Sequence, residues 1–316
     1  MKTRPLGTTG WNVGRIGLGC MGMSFAYTPG RRDDAESAQV IRRAVDLGVT
    51  LVDTADVYGP HTNEELVGKA LTGLRDDVVL AGKCGLVVRD GDIVPDGRPE
   101  HIRAAADGSL ARLGVDEIDL YQLHRVDPQV PVEETWGAMA ELVRAGKVRR
   151  IGMSEATVAE LDAAHAVHEV ATVQSELSLW SQDQLEAVVP WCAAHGAAFI
   201  AYGPLGRAFL TGAVKPGHRL EDGDWRRGNP RFQDAAITAN QHIAQGVADI
   251  AAAHRATPAQ VALAWVLAQA PDIVPIPGTK RLAHLEENVR ADGVELTADE
   301  ITRLTALGRT AEGPRY

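Results

Sequence analysis

Cysteine is scarce: three residues, at 20, 84 and 192, are too few and too scattered for a disulfide framework or a thiolate metal site, which points to a reducing compartment, the cytoplasm. No apolar run approaches the ~18 residues of a membrane span, and the stretch Met1 to Gly7 lacks the apolar centre of a signal peptide, so a soluble protein is expected. An excess of basic charge is missing as well. A formal net charge of -10 and a pI near 5.5 argue against nucleic acid or an anionic membrane as the main partner. Any anion must be met by a local basic pocket. The ten histidines form no His-Glu-x-x-His or comparable spacing, which disfavours a metal, and no Gly-x-Ser-x-Gly elbow occurs. No Gly-x-Gly-x-x-Gly opens a helix after the first strand, which counts against a Rossmann sheet.

What is present is ample core material, 45% hydrophobic against 23% charged residues, arranged in one repeated structural sentence. Residues 4–6 and 11–13 flank a Gly-rich turn and predict a small hairpin. Short apolar runs then predict strands at 15–19, 50–53, 78–83, 118–124, 148–153, 172–175, 198–202 and 273–276. Helical spacing falls between them, near 33–47, from 62 onward, and near 99–113, 132–145, 157–169 and 183–195. Thr62 to Glu65 and Ser181 to Gln184 read as capping boxes, and Thr297 to Glu300 caps one extra C-terminal helix. Gly48, Gly114, Gly146 and Gly196 each close a helix just before a strand. Eight strands with intervening helices predict one domain over 1–316, a (β/α)8 TIM barrel with an N-terminal β-hairpin and an extra C-terminal helix. Residues 309–316 read as a loose tail. Two connections are long, 84–98 and 203–234; the second is rich in Gly and Arg and suits a lid over a phosphate-bearing ligand or, as blandly, a surface excursion.

In such a barrel the C-terminal strand ends converge on one mouth. Asp53 ends the second strand with Tyr58 just beyond it, Lys83 ends the third and His124 the fourth. A phenol with an ordinary pKa near 10 becomes a usable acid if a nearby charge stabilises its phenolate; Lys83 supplies the charge and Asp53 its counter-ion. His124 then hydrogen-bonds a substrate oxygen. Taken singly, Asp53 reads equally as a strand-end cap, Tyr58 as a half-wet loop residue, Lys83 as a solvated lysine and His124 as a satisfied histidine. Four of them at one mouth favour chemistry.

Seven stretches in this order resemble the aldo-keto reductase family, in particular bacterial members related to potassium-channel β-subunits. They are Gly17-Leu-Gly-Cys-Met-Gly-Met23, Val52-Asp-Thr-Ala-Asp-Val-Tyr-Gly59, Gly82-Lys-Cys-Gly85, Tyr121-Gln-Leu-His-Arg125, Ile151-Gly-Met-Ser154, Ala201-Tyr-Gly-Pro-Leu-Gly-Arg207 and Pro277-Gly-Thr-Lys280. The resemblance implies Tyr58 as general acid, tuned by Lys83 and Asp53, with His124 orienting the carbonyl. It implies an extended NADPH, NADH not being excluded, with Ser154 and Gln174 at the carboxamide and Tyr202 stacked on the nicotinamide. Pro204, Leu205, Gly206 and Arg207 match the segment beside the pyrophosphate. Gly278, Thr279 and Lys280 match the loop at the adenosine phosphate, with Glu287 and Asn288 at the adenine. Glu155 stands beside the carboxamide where the family often has Asn, Gly203 replaces a common Ser, and His284 stands where many members carry Arg.

The implied function is NADPH-dependent reduction of an aldehyde or ketone, a small-molecule carbonyl. The alternatives are a cofactor-binding, redox-sensing regulatory subunit of slow turnover, and an aldolase-like barrel with Lys83 as a Schiff-base lysine. The carbonyl itself and the oligomeric state are left open, since specificity lies in the loops at 21–32, 84–98 and 203–234.

Overall fold

The protein is described from a computed structural model over residues 1–27 and 29–315. A hairpin, β1 (Thr3–Pro5) and β2 (Asn12–Gly14), precedes the repeat. The chain then alternates β3 (Leu18–Gly19), α1 (Asp34–Asp46), β4 (Leu51–Asp53), α2 (Thr62–Ala70) and β5 (Val79–Cys84). A second hairpin, β6 (Leu86–Arg89) and β7 (Asp92–Pro95), is inserted before α3 (Pro99–Leu113). There follow β8 (Ile118–Leu123), α4 (Val132–Arg144), β9 (Val148–Ser154), α5 (Val158–Val167), β10 (Thr172–Glu176), α6 (Val188–His195) and β11 (Ala198–Tyr202). Helices α7 (Asp234–Ala253) and α8 (Pro258–Gln269) lead to β12 (Ile273–Pro275), and α9 (Leu282–Val289) and α10 (Ala298–Gly308) end the series.

The eight strands from β3 to β12, without the inserted hairpin, pair in parallel in the order β12-β11-β10-β9-β8-β5-β4-β3. Gly17 N donates to Pro275 O at 2.9 Å and Gly19 bridges Gly278 in parallel, which brings the two end strands together and closes the barrel. The predicted N-terminal hairpin and C-terminal helix are both present. Side chains alternate in and out along a strand, and this parity builds the interior. Leu51, Val79, Ala81, Leu120, Ala198, Ile200, Val274 and Ile276 fill the barrel, and Leu6 and Val13 beside the hairpin turn pack on them. Each buried Leu, Ile or Val among them contributes ~1.5–3 kcal/mol. Two residues further along the same inward faces stand Asp53, Lys83 and Gln122, so a polar layer lies on top of the apolar one. The larger core lies between the strands and the helices outside; Trp136, Met139 and Ala140 of α4 are buried in it, as the helical stripe requires.

The four closing glycines 48, 114, 146 and 196 adopt φ of 84°, 67°, 69° and 70°, the left-handed geometry that reverses the chain. Thr297 and Glu300 form the expected capping box. Two other expected boxes do not form. Thr62 is the first helical residue of α2, not its cap, and its hydroxyl donates to Gly59 O at 2.9 Å. The hydroxyl of Ser181 donates to Glu176 at 3.1 Å, and α6 begins only at Val188. In both cases an acceptor a few residues upstream, three and five positions back, took the hydroxyl that a helix cap would have used. The connection 84–98 is not irregular but carries the paired strands β6 and β7.

The segment predicted as a loose tail is tied down over residues 309–315, Tyr316 lying outside the described residues. Asn240 exchanges two hydrogen bonds with the backbone of Glu312 (2.9 and 2.8 Å), Arg231 donates to Gly313 O (3.1 Å) and Asn229 to Arg315 O (2.9 Å).

Candidate active site

The loop after β4 runs along the edge of β5. Thr54 N donates to Ala81 O at 2.8 Å and Asp56 N to Lys83 O at 3.2 Å, which carries Tyr58 over the end of β5. Asn63 fastens this loop from α2, accepting from the Thr54 hydroxyl (2.7 Å) and donating to Cys20 O (3.0 Å) and Ser24 Oγ (2.7 Å). Tyr58 is buried with Ala55 and Val57, and its ring stacks 6.0 Å from Phe25.

Lys83 is fully buried, and its ammonium uses all three protons. They go to Asp53 Oδ1 at 2.5 Å, Thr54 O at 3.0 Å and the Tyr58 hydroxyl at 3.4 Å. The other oxygen of Asp53 accepts from Gln174 Nε2 at 2.8 Å and from Gln122 Nε2 at 3.4 Å. Burial opposes the charge on Lys83, but Asp53 and Tyr58 outweigh it and hold its pKa above the ordinary lysine value. His124 presents its ring edge-on to Tyr58, 5.6 Å between centroids at 84°. Burial, with Lys83 and Arg125 adding to it, lowers its pKa well below the ordinary value, so the imidazole is neutral at pH 7. Its Nδ1 is buried with no hydrogen-bond partner among the described residues.

The structure corrects one expectation about Tyr58. Burial raises its pKa; Lys83 pulls the other way, as expected, without reversing the shift. In this state the phenol therefore holds its proton more firmly than free tyrosine does.

The residues expected at a cofactor lie on the other arc of the rim. Ser154 and Gln174 are register partners on β9 and β10. The Ser154 hydroxyl accepts from Arg125 at 3.1 Å, and Arg125 also donates to His124 O at 2.6 Å. Tyr202 is half-buried at the end of β11, paired in register with Glu176. Pro204, Leu205, Gly206 and Arg207 follow as a turn in which Gly206 (φ 56°) must be glycine, because a Cβ there would stand 2.8 Å from Trp180 Nε1. The Arg207 side chain turns away from solvent into a bidentate pair with Glu176, 2.8 Å at each oxygen. Gly278, Thr279 and Lys280 follow β12, and burial lowers the pKa of Lys280. On α9 Asn288 is buried, His284 is exposed, and the Glu287 carbonyl accepts from Gln260 at 3.0 Å.

A cavity of about 390 Å³ lies beside this rim, with Met23, Phe25, Tyr27, Arg32, Trp225 and Lys280 in its wall. Across it the long loop 203–234 meets the loop after β3. Trp225 N donates to Ala26 O at 2.9 Å, Glu221 pairs with Arg31 at 2.8 Å, and Arg226 lies 5.2 Å over the Tyr27 ring. These contacts favour the lid over the surface excursion.

Sequence reasoning missed Gln122, Arg125, Glu176 and Arg315. The inward parity of the strands could have found the first and third, two residues before His124 and two after Gln174. Arg315 gave no local signal, yet its guanidinium reaches Glu155, Glu176 and Tyr202.

A closed parallel barrel with its titratable groups gathered at the C-terminal mouth has the layout of a barrel enzyme. The family model described as "Aldo/keto reductase family" matches residues 15–309, and the chain belongs to that family of oxidoreductases. Among solved structures it is similar to the glycerol dehydrogenase of Gluconobacter oxydans, with 28% identity, 99% of this chain and 97% of that one covered, and a TM-score of 0.87. An aldo-keto reductase from Bacillus halodurans in its holo form matches with 27% identity, 98% and 97% coverage and a TM-score of 0.81. One from Klebsiella pneumoniae in complex with NADPH matches with 29% identity, 97% and 95% coverage and a TM-score of 0.76. No helix among the described residues is long and apolar enough to cross a membrane.

Proposed function

We propose that this protein reduces an aldehyde or ketone with NADPH, Tyr58 delivering the proton. The observation that carries the reading is the buried ammonium of Lys83, shared between Asp53 at 2.5 Å and the Tyr58 hydroxyl at 3.4 Å beneath the mouth. The residues on the rim suit a nicotinamide dinucleotide. Ser154, Gln174, Tyr202, the turn 203–207 and residues 278–280 end four strands that are neighbours in the sheet. With strands about 4.8 Å apart, that arc and the start of α9 span roughly 15–20 Å, room for an extended dinucleotide. Its order runs from an amide and a hydroxyl, through an aromatic face, to a lysine, which matches carboxamide, ring and phosphate in turn. The Klebsiella pneumoniae relative bound to NADPH supports the choice.

When bound, the nicotinamide supplies the hydride to the carbonyl carbon. Tyr58 keeps its proton at neutral pH, and an alkoxide forming at its hydroxyl is a far stronger base than a phenolate, so the transfer runs downhill despite the raised pKa. Neutral His124, its ring edge-on to Tyr58, donates a ring N–H to the carbonyl oxygen and polarises it. Asp53 keeps Lys83 charged, and Lys83 stabilises the phenolate left behind.

A panel of aldehydes and ketones assayed by NADPH consumption, with NADH alongside, tests the reading. Many turnovers per chain are expected on at least one carbonyl. Oxidation of bound cofactor once per chain and no further would point instead to a redox-sensing subunit, and borohydride trapping of a carbonyl on Lys83 to Schiff-base chemistry.

A further inference from the structure

Glu155 follows β9 directly, in the left-handed region at φ 55°, with its backbone N–H on Gln174 O at 3.0 Å. Its side chain is 15% exposed, and Oε1 accepts from Glu176 N at 2.9 Å and from Arg315 Nη2 at 2.5 Å. Arg315 Nη2 also donates to the Tyr202 hydroxyl at 2.8 Å, while its Nε donates to Glu176 Oε2 at 2.8 Å. Two carboxylates and two guanidiniums therefore meet beside Tyr202. Arg207 serves Glu176 with both nitrogens, whereas among the described residues Arg315 is the cation that reaches Glu155. Lone carboxylates are costly in such a place, and a pair broken on one side leaves that cost exposed.

We propose that Arg315 is a positioning residue for the nicotinamide end of the site: it cancels the charge of Glu155 and pins the Tyr202 hydroxyl, so that the ring is offered to a reduced, neutral nicotinamide. This rests on the cofactor reading above. The segment carrying Arg315 is held by Asn229, Asn240 and Arg231 through backbone contacts that do not use the Arg315 side chain, so a side-chain substitution leaves the tether in place.

The charge argument separates this role from simple packing. Without Arg315 the carboxylate of Glu155 stands unbalanced near the ring, and it stabilises the oxidised, cationic nicotinamide over the reduced, neutral one. An unbalanced unit charge beside the ring in a half-solvated site shifts the ratio of the two affinities roughly three- to tenfold. Neutralising Glu155 in the same chain restores the ratio.

The test is fluorescence and calorimetric titration of NADPH and NADP+ at fixed salt into the parent protein, Arg315→Met, Arg315→Lys, Glu155→Gln and the double variant Arg315→Met/Glu155→Gln, with melting curves for each. Arg315→Met is expected to bind NADPH roughly tenfold more weakly, as loss of a charged hydrogen bond implies, and NADP+ less affected. The double variant returns the NADPH to NADP+ ratio to that of the parent, and Arg315→Lys stays near it. Equal weakening of both forms without recovery in the double variant would show a merely structural role and overturn the proposal. Unchanged binding by Arg315→Met overturns it too, and tighter binding of both forms overturns it in favour of a tail that plugs the site. Failure of the parent itself to bind either form overturns the cofactor reading, and this inference with it.

Discussion

Lys83 and Asp53, on neighbouring strands and thirty residues apart, meet at 2.5 Å with both side chains buried beneath the barrel mouth. A buried pair of this kind costs most when half of it is removed, about 3–5 kcal/mol, because the remaining charge is left uncompensated. Lys83→Met should therefore lower unfolding stability by about that amount as well as abolish turnover. Adding Asp53→Asn should recover most of the stability and none of the turnover. Urea unfolding alongside the carbonyl assay checks both halves; recovery of activity in the double variant would refute the assigned roles.

Tyr58→Phe keeps the ring that stacks on Phe25 and faces His124, and removes only the hydroxyl. NADPH affinity should stay within a few-fold of the parent while turnover falls ~10²–10⁴-fold, the range of general acid catalysis. Combining it with Lys83→Met should cost little beyond either single change, since the two act as one unit. Near-normal turnover by Tyr58→Phe would sink the mechanism.

Asp56 lies in the same loop with Oδ1 buried and without a partner among the described residues. Burial, and after it Glu64, pushes its pKa up to about 7, while Arg112 and Lys83 pull the other way. The folded chain thus holds a proton that the unfolded chain releases near pH 4. Stability from this group is full below the unfolded value and is lost as pH rises through about 7. The stability difference in favour of Asp56→Asn should widen by about 2–3 kcal/mol between pH 5 and pH 8, about 1.4 kcal/mol for each pH unit below the folded value. Thermal and urea melts at the two pH values decide it, and a difference that does not widen would contradict the assignment.

Lys280 lines the cavity between the loop after β3 and the loop 203–234, and is followed by Arg281. If it meets the adenosine 2′-phosphate, Lys280→Met should weaken NADPH by roughly ten- to a hundredfold, the equivalent of a hydrogen bond to a charged group, and leave NADH little changed. Dissociation constants for both cofactors at one salt concentration give the answer, equal weakening of the two removing Lys280 from the phosphate.

The sequence by itself determined the barrel and the place of the tetrad, because both follow from local rules. Inward parity puts Leu51 and Asp53, or Val79, Ala81 and Lys83, on one face, and parallel strands bring their C-terminal ends to one mouth. The glycines at 48, 114, 146 and 196 were legible for the same reason, since a left-handed cap is a property of one residue. The structure decided which hydroxyls cap helices, by turns the spacing rule does not see. Thr62 and Ser181 carry the right spacing, but their hydroxyls go back to Gly59 O and Glu176, three and five residues upstream. It also decided the proton affinity of Tyr58, in which burial outweighs Lys83, since desolvation depends on everything packed around the ring. Most of all it decided the place of Arg315, which contacts Glu155 across 160 positions of sequence. No periodicity or cap marks such a residue. Its partners are set by where the last segment of the chain docks against Asn229, Arg231 and Asn240, and that docking is the sum of many distant contacts.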